Sequence, residues 1–180
     1  MKSLRIPSYL HEVLGERQSV ASVLTITGFA ALMTAALLLR YPALHEDVAV
    51  WRSVLALLLI YDICAGCIAN FTASTNRYYA ERPRLRLIFI AVHVHLVLVA
   101  LLLGTSLSAA LWAWGYTVVC AFVVNAAARG GRQVLTGGLL LAAGLGWMPM
   151  IYAAEPHMLI VSLLFMLKVV YSFGVDHYGS

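Results

Sequence analysis

The chain of 180 residues is 62% hydrophobic and only 11% charged, and it carries a formal net charge of +4. Soluble domains average about 45–50% apolar and about 25% charged residues, so this composition excludes an ordinary soluble globular protein. Apolar runs of about 20 residues recur along the chain, and each is long enough to cross a bilayer as a helix. The three cysteines all fall in apolar segments, which argues against the disulfide framework of a small secreted domain.

The N-terminal residues 1–18 differ from the rest of the chain because they mix charged and apolar residues. Ile6, Leu10, Val13 and Leu14 recur at helical spacing, with acidic and basic residues between them. This pattern predicts a short amphipathic helix that lies at the membrane interface, ahead of a single transmembrane domain at 19–180.

Six apolar segments predict an all-α, polytopic membrane protein built as a compact bundle of six transmembrane helices. The predicted spans cover about residues 19–39, 48–72, 85–104 and 109–128, then a fifth that ends near 154, and 156–174. The fifth contains several glycines and Pro149, which predict a kink in its later half.

The distribution of basic residues predicts the orientation of the bundle. An N-terminus in the cytoplasm places nine basic residues on the inner side and leaves two outside, as the positive-inside rule requires. The nine are Lys2, Arg5, Arg17, Arg77, Arg82, Arg84, Arg86, Arg129 and Arg132, and the two are Arg40 and Arg52. We therefore expect a multi-pass protein of the cell membrane with both termini in the cytoplasm. Because topology accounts for the basic charge, no nucleic-acid partner is expected.

Two charged residues fall near the middle of predicted spans. Asp62 lies about 18 Å from the outer end of the second span, and Lys168 lies near the centre of the sixth. Small residues such as Gly66 share the helical face of Asp62, so we expect Asp62 to face other helices. An intramembrane charge is a functional hypothesis by default, and both residues are candidates for acid/base catalysis. A buried Asp62–Lys168 ion pair without any function is the alternative.

Histidines in the third span are further candidates. His93 and His95 lie at a depth comparable to that of Asp62, but residues two apart on a continuous helix point about 200° apart. The pair therefore should not bind one metal ion, and no metal site is expected. We expect at most one histidine to face the site and favour His93 as the third catalytic residue, the alternative being a histidine that only bonds a carbonyl. No motif specifies a cofactor, and Cys64 and Cys67, although spaced C-x-x-C, are interpreted as packing residues.

The link between the second and third spans is rich in groups that bind anions or polar head groups. The candidate substrate-binding residues are Asn70, Asn76, Tyr79, Arg82, Arg84 and Arg86, together with Asn125 in the fourth span. For the arginines, placement by the positive-inside rule alone is the alternative.

Two classes of function remain open from the sequence. Polar residues lie at the middle and on the inner side of the bundle, while the outer half offers few, which favours an enzyme that acts on a lipid-like or anionic amphiphile from the inner leaflet. A small-solute or proton-coupled transporter, or the membrane solute-binding subunit of a transporter, is the alternative. In either case, the expected partners are the lipid bilayer and a lipid or small-molecule ligand within the bundle.

Overall fold

The computed structural model describes residues 3–127, 130–151 and 155–179. Within these residues, six segments are long and apolar enough to cross a membrane, which confirms the predicted helical bundle. They are Val20–Arg40, Val50–Ala69, Pro83–Leu103, Leu107–Ala126, Gly131–Met150 and Pro156–Phe173. Lys2 and Arg129 of the charge count, and the span ends expected near 128 and 154, lie outside the described residues.

The N-terminal segment, predicted as a short helix over residues 1–18, contains a short helix within a small hairpin. Strand β1 (Ser3–Arg5) pairs antiparallel with β2 (Arg17–Ser19), and between them lie a 3-10 turn (Ser8–Leu10) and the short helix α1 (His11–Leu14). The helix ends at Gly15, whose φ of 71° is the left-handed conformation that glycine adopts without strain. A Cβ at Gly15 would overlap Ser74, so this glycine also lets the hairpin pack directly on the link after the second span.

The second and sixth spans form the centre of the bundle. The first span is helix α2 (Val20–Arg40), and the second is α3 (Val50–Ala69). The sixth combines α9 (Pro156–Met166) with a π-helical end (Leu167–Phe173). In the second and sixth spans 50% and 61% of the residues are buried, against 17% in the first. The two charged candidates therefore lie on the two helices that have the least contact with lipid.

The third span is broken in its middle. Helix α4 (Ala73–Ala80) leads into α5 (Pro83–Val92), which ends one residue before His93, and α6 (His95–Leu103) begins after Val94. The indole N–H of Trp114, on α7 (Leu107–Ala126), donates to the His93 carbonyl over 2.9 Å. This bond satisfies a carbonyl that the break removes from the helical ladder.

The fifth span has no such break in the described residues. Helix α8 (Gly131–Ile151) continues through Pro149, which lies close to its end. The break in the third span is not predicted, since neither glycine nor proline marks it in the sequence.

The end of the bundle that carries both termini is held by polar side chains. Arg86 is buried and donates to the backbone carbonyls of Phe173 (2.9 Å) and Gly174 (2.6 Å). The side-chain amide of Asn76 donates to the Val175 carbonyl over 3.0 Å. These bonds satisfy backbone acceptors where the sixth span ends, as helix C-termini require.

Replacing Arg86 with Met should destabilise the protein, because two buried carbonyls lose a charged donor. We expect a loss of about 2–4 kcal/mol in the free energy of unfolding, measured by denaturant titration in detergent micelles. The matched control is Arg84→Met, which makes the same charge change at an exposed position of the same helix and should cost less than about 0.5 kcal/mol. Equal effects of the two substitutions would contradict a structural role for Arg86.

Candidate functional site

A cavity of about 270 Å³ lies between α3 and the broken third span. It is lined by residues from the hairpin and from the second, third and sixth spans: Glu12, Val13, Asp62, Gly66, Asn70, Phe89, Val92, His93, His95 and Lys168. The structure thus brings together the three predicted catalytic residues and Asn70. Val92 is 60% exposed and the Asp62 side chain 37% exposed, so the cavity reaches the outer surface of the bundle.

The ion pair between Asp62 and Lys168 is the strongest contact in the cavity. Lys168 Nζ lies 2.7 Å from Asp62 Oδ2 and 3.4 Å from the Asp62 backbone oxygen, and the lysine side chain is only 3% exposed. The predicted contact between the two charges is therefore observed. Asp62 packs against Lys168 on one side, but it also faces the open cavity rather than protein alone. Removing Asp62 would leave the buried Lys168 ammonium without its carboxylate partner, which destabilises the fold.

Gly66 provides the space for the Lys168 side chain. A Cβ at Gly66 would overlap Cε of Lys168, so the glycine leaves the space that the lysine stem occupies as it crosses α3 to reach Asp62 one turn away. Lys168 itself lies in the π-helical end of the sixth span. Such segments are rare and are frequent at functional sites.

The break in the third span turns both histidines towards the cavity. The His93 and His95 rings are 4.8 Å apart at 76°, and both line the cavity. His95 Nδ1 lies 3.9 Å from Asp62 Oδ2. The prediction that only one histidine faces the site is therefore wrong, because it assumed a continuous helix.

The proton position on His93 follows from its hydrogen bond. His93 Nδ1 lies 2.9 Å from the Phe89 carbonyl oxygen, which can only accept, so Nδ1 carries the proton and Nε2 keeps its lone pair. His93 is 3% exposed, yet its Nε2 has no hydrogen-bond partner in the described part of the chain.

Two further polar atoms of residues around this cavity are also buried without a hydrogen-bond partner in the part of the chain that the structure describes. The side-chain nitrogen Nδ2 of Asn70 and the ring nitrogen Nδ1 of His95 are buried without a hydrogen-bond partner among the described residues. Buried polar groups are almost always bonded, and each exception requires an explanation. Three such atoms belong to residues that line this one cavity.

The other predicted binding residues divide into two groups. Tyr79 and Asn76 are buried behind the cavity, and the Tyr79 hydroxyl donates to the Glu12 carbonyl over 2.9 Å. Burial raises the pKa of Tyr79, so its hydroxyl stays neutral, and its ring packs on Phe89 and Phe173. Arg86 bonds the end of the sixth span. These three residues position the elements around the site and do not line the cavity.

The remaining candidates lie apart from the cavity. Arg82 pairs with Glu16 at 3.1 Å, stacks over the Tyr78 ring and borders a separate surface cleft. Arg84 is exposed, and Asn125 is half-buried on α7. The cavity residues that the sequence interpretation missed are His95, excluded by the assumed helix, and Glu12, whose position depends on the hairpin.

Comparison of the chain with protein-family models, with curated proteins and with solved structures finds no match. The functional assignment therefore rests on the geometry of the cavity.

Gly66→Ala should displace Lys168 from Asp62, because the new methyl group overlaps the lysine stem. We expect a loss of about 1–3 kcal/mol in the free energy of unfolding in detergent. Gly28→Ala, at a helical position where an added Cβ meets no atom within 4 Å, is the control and should change stability by less than about 1 kcal/mol. If the two variants are equally stable, the close packing of Lys168 on α3 is not required.

Proposed function

We propose that this protein is a membrane enzyme that acts by acid/base chemistry on an amphiphile whose polar group enters the Asp62 cavity from the bilayer. One observation carries the proposal: three buried polar atoms without hydrogen-bond partners among the described residues and the Asp62–Lys168 ion pair surround a single cavity that opens on the surface of the bundle. Packing alone does not require this combination, because unpaired buried polar groups cost free energy.

The shape of the cavity supports an amphiphilic substrate. Phe89, Val92 and Val13 are the apolar lining residues, and Asp62, His93 and Lys168 contribute its chemistry. A cavity of about 270 Å³ holds a polar group but not a complete lipid, so the tail would remain among the lipids beside Val92. The charge distribution in the sequence favours entry from the cytoplasmic leaflet of the cell membrane. Arg84 is exposed and lies eight residues, or about 12 Å, along the third span from Val92. In this orientation it can bind an anionic head group.

Each polar residue has a role in this proposal that follows from its contacts. His93, which lines the cavity and whose Nε2 has no hydrogen-bond partner among the described residues, accepts a proton from the substrate. Lys168, held by Asp62, stabilises negative charge that develops on the substrate and donates a proton in return. Asn70 Nδ2 orients the substrate through a hydrogen bond to one of its oxygens.

A transporter is less well supported. A permeation path needs polar surface on both sides of the membrane. The polar cavity described here includes Glu12 of the hairpin, at one end of the bundle, and it opens to the surface beside α5.

Asp62→Asn and His93→Ala should each alter the lipids of cells that express the protein, because each removes part of the acid/base machinery. We expect the ratio of product to substrate, found by untargeted mass spectrometry of total membrane lipids, to fall about 100-fold or more relative to wild type. Asp47→Asn makes the same chemical change in an exposed loop and should match wild type.

Correct folding and insertion of each variant would be checked by detergent solubility and helical content. If folded Asp62→Asn and His93→Ala variants both gave the wild-type lipid pattern, the enzyme proposal would be contradicted. If proteoliposomes showed a solute or proton flux that depends on Asp62, and the lipids did not change, the enzyme proposal would give way to a transport function.

A further inference from the structure

We propose that Asp62, His93 and His95 bind one divalent transition-metal ion, with the cavity on its open side. One ligand atom from each residue lies within 4.8 Å of the other two. The proposal concerns the same cavity as the acid/base chemistry but does not depend on it, because metal binding is measured without any substrate.

The break at His93 and Val94 makes this ligand set possible. On a continuous helix the two imidazoles would diverge by about 200° and could not share an ion. Here their rings are 4.8 Å apart, and the Trp114 indole stabilises the break by bonding the His93 carbonyl. The objection to a metal site that follows from sequence spacing therefore does not apply to this fold.

The histidine nitrogens are prepared for coordination. Metal-binding histidines almost always donate their other ring N–H to a carbonyl or carboxylate, which fixes the tautomer and the ring orientation. His93 does this through the Phe89 carbonyl, and its Nε2, which has no hydrogen-bond partner among the described residues, belongs to a residue that is only 3% exposed. His95 Nδ1 is likewise unpartnered among the described residues and lies 3.9 Å from Asp62 Oδ2.

The distances require only a small closure on binding. Bonds of about 2.0–2.2 Å to nitrogen and oxygen place neighbouring ligand atoms about 3–3.5 Å apart. The observed separations, up to 4.8 Å, thus need a contraction of at most about 1.3–1.8 Å, which side-chain rotation supplies. Two imidazoles and one carboxylate suit zinc, iron(II), cobalt(II) or nickel(II), and three protein ligands leave positions open towards the cavity.

Lys168 is the competitor for this site. Its ammonium group lies 2.7 Å from Asp62 Oδ2 and neutralises the carboxylate charge that would otherwise bind the metal ion. A bound cation repels Lys168 and must displace it or share Asp62 through the other oxygen. Glu12 lines the same cavity and adds a second carboxylate that partly offsets this repulsion. The affinity for metal should therefore be limited by Lys168, and Lys168→Met should raise it.

The test uses the full-length protein, purified in detergent without an affinity tag, stripped with a chelator and titrated with Co²⁺ or Zn²⁺. We expect one ion per chain by elemental analysis and a visible absorption from bound Co²⁺. His93→Ala and His95→Ala should each weaken binding at least about tenfold, since even outer-shell partners cost that much. His157→Ala is the matched control, because it removes an equally buried histidine that packs on Tyr41 away from the cavity.

The Lys168→Met variant should bind the metal ion at least about tenfold tighter than wild type does. Zn²⁺ should also raise the melting temperature of this variant more than that of wild type. A purely structural role for the cluster predicts no such gain. The absence of stoichiometric metal in both wild type and Lys168→Met would overturn the proposal, as would equal binding by His93→Ala, His95→Ala and His157→Ala. Metal binding without any lipid change would refute only the enzyme proposal, and a lipid change without metal would refute only the metal site.

Discussion

The ion pair between Asp62 and Lys168 is the constraint on which the centre of the bundle depends. Two charges cannot remain in the hydrocarbon region without a partner, so the second and sixth spans must meet there. Gly66 allows the meeting because it leaves room for the lysine stem, and the π-helical end of the sixth span carries the lysine. The two helices that supply the pair are also the two most buried spans.

Two groups of buried polar side chains surround the centre and one end of this bundle. At the end that carries both termini, Arg86, Asn76 and Tyr79 donate to backbone carbonyls and join the hairpin, the link and the last helix. Around the cavity, His93, His95 and Asn70 each keep a buried nitrogen without a partner among the described residues. The first group stabilises the fold, and the second is the basis of the binding that we propose.

The spans could be predicted because a bilayer requires about 20 apolar residues per helix, and that requirement is local in the sequence. The contact between Asp62 and Lys168 could be anticipated because each charge needs a partner. The break at His93 could not, since it depends on an indole 21 residues further along the chain. Arg82, Arg84 and Arg86 look alike in sequence, yet their roles differ because their surroundings come from the hairpin and from the last helix. The hairpin strands are three residues long and carry no period that could distinguish them from a helix.

The separation of the central charges along the chain has a consequence for biosynthesis. Lys168 is made 106 residues after Asp62, which at about 5–20 residues per second takes about 5–20 s. During that interval the second span has left the ribosome, but its counter-ion has not been synthesised. Until the sixth span arrives, the carboxyl group of the nascent helix has neither the ammonium of Lys168 nor the finished bundle around it. Completion of the central ion pair therefore requires the last helix.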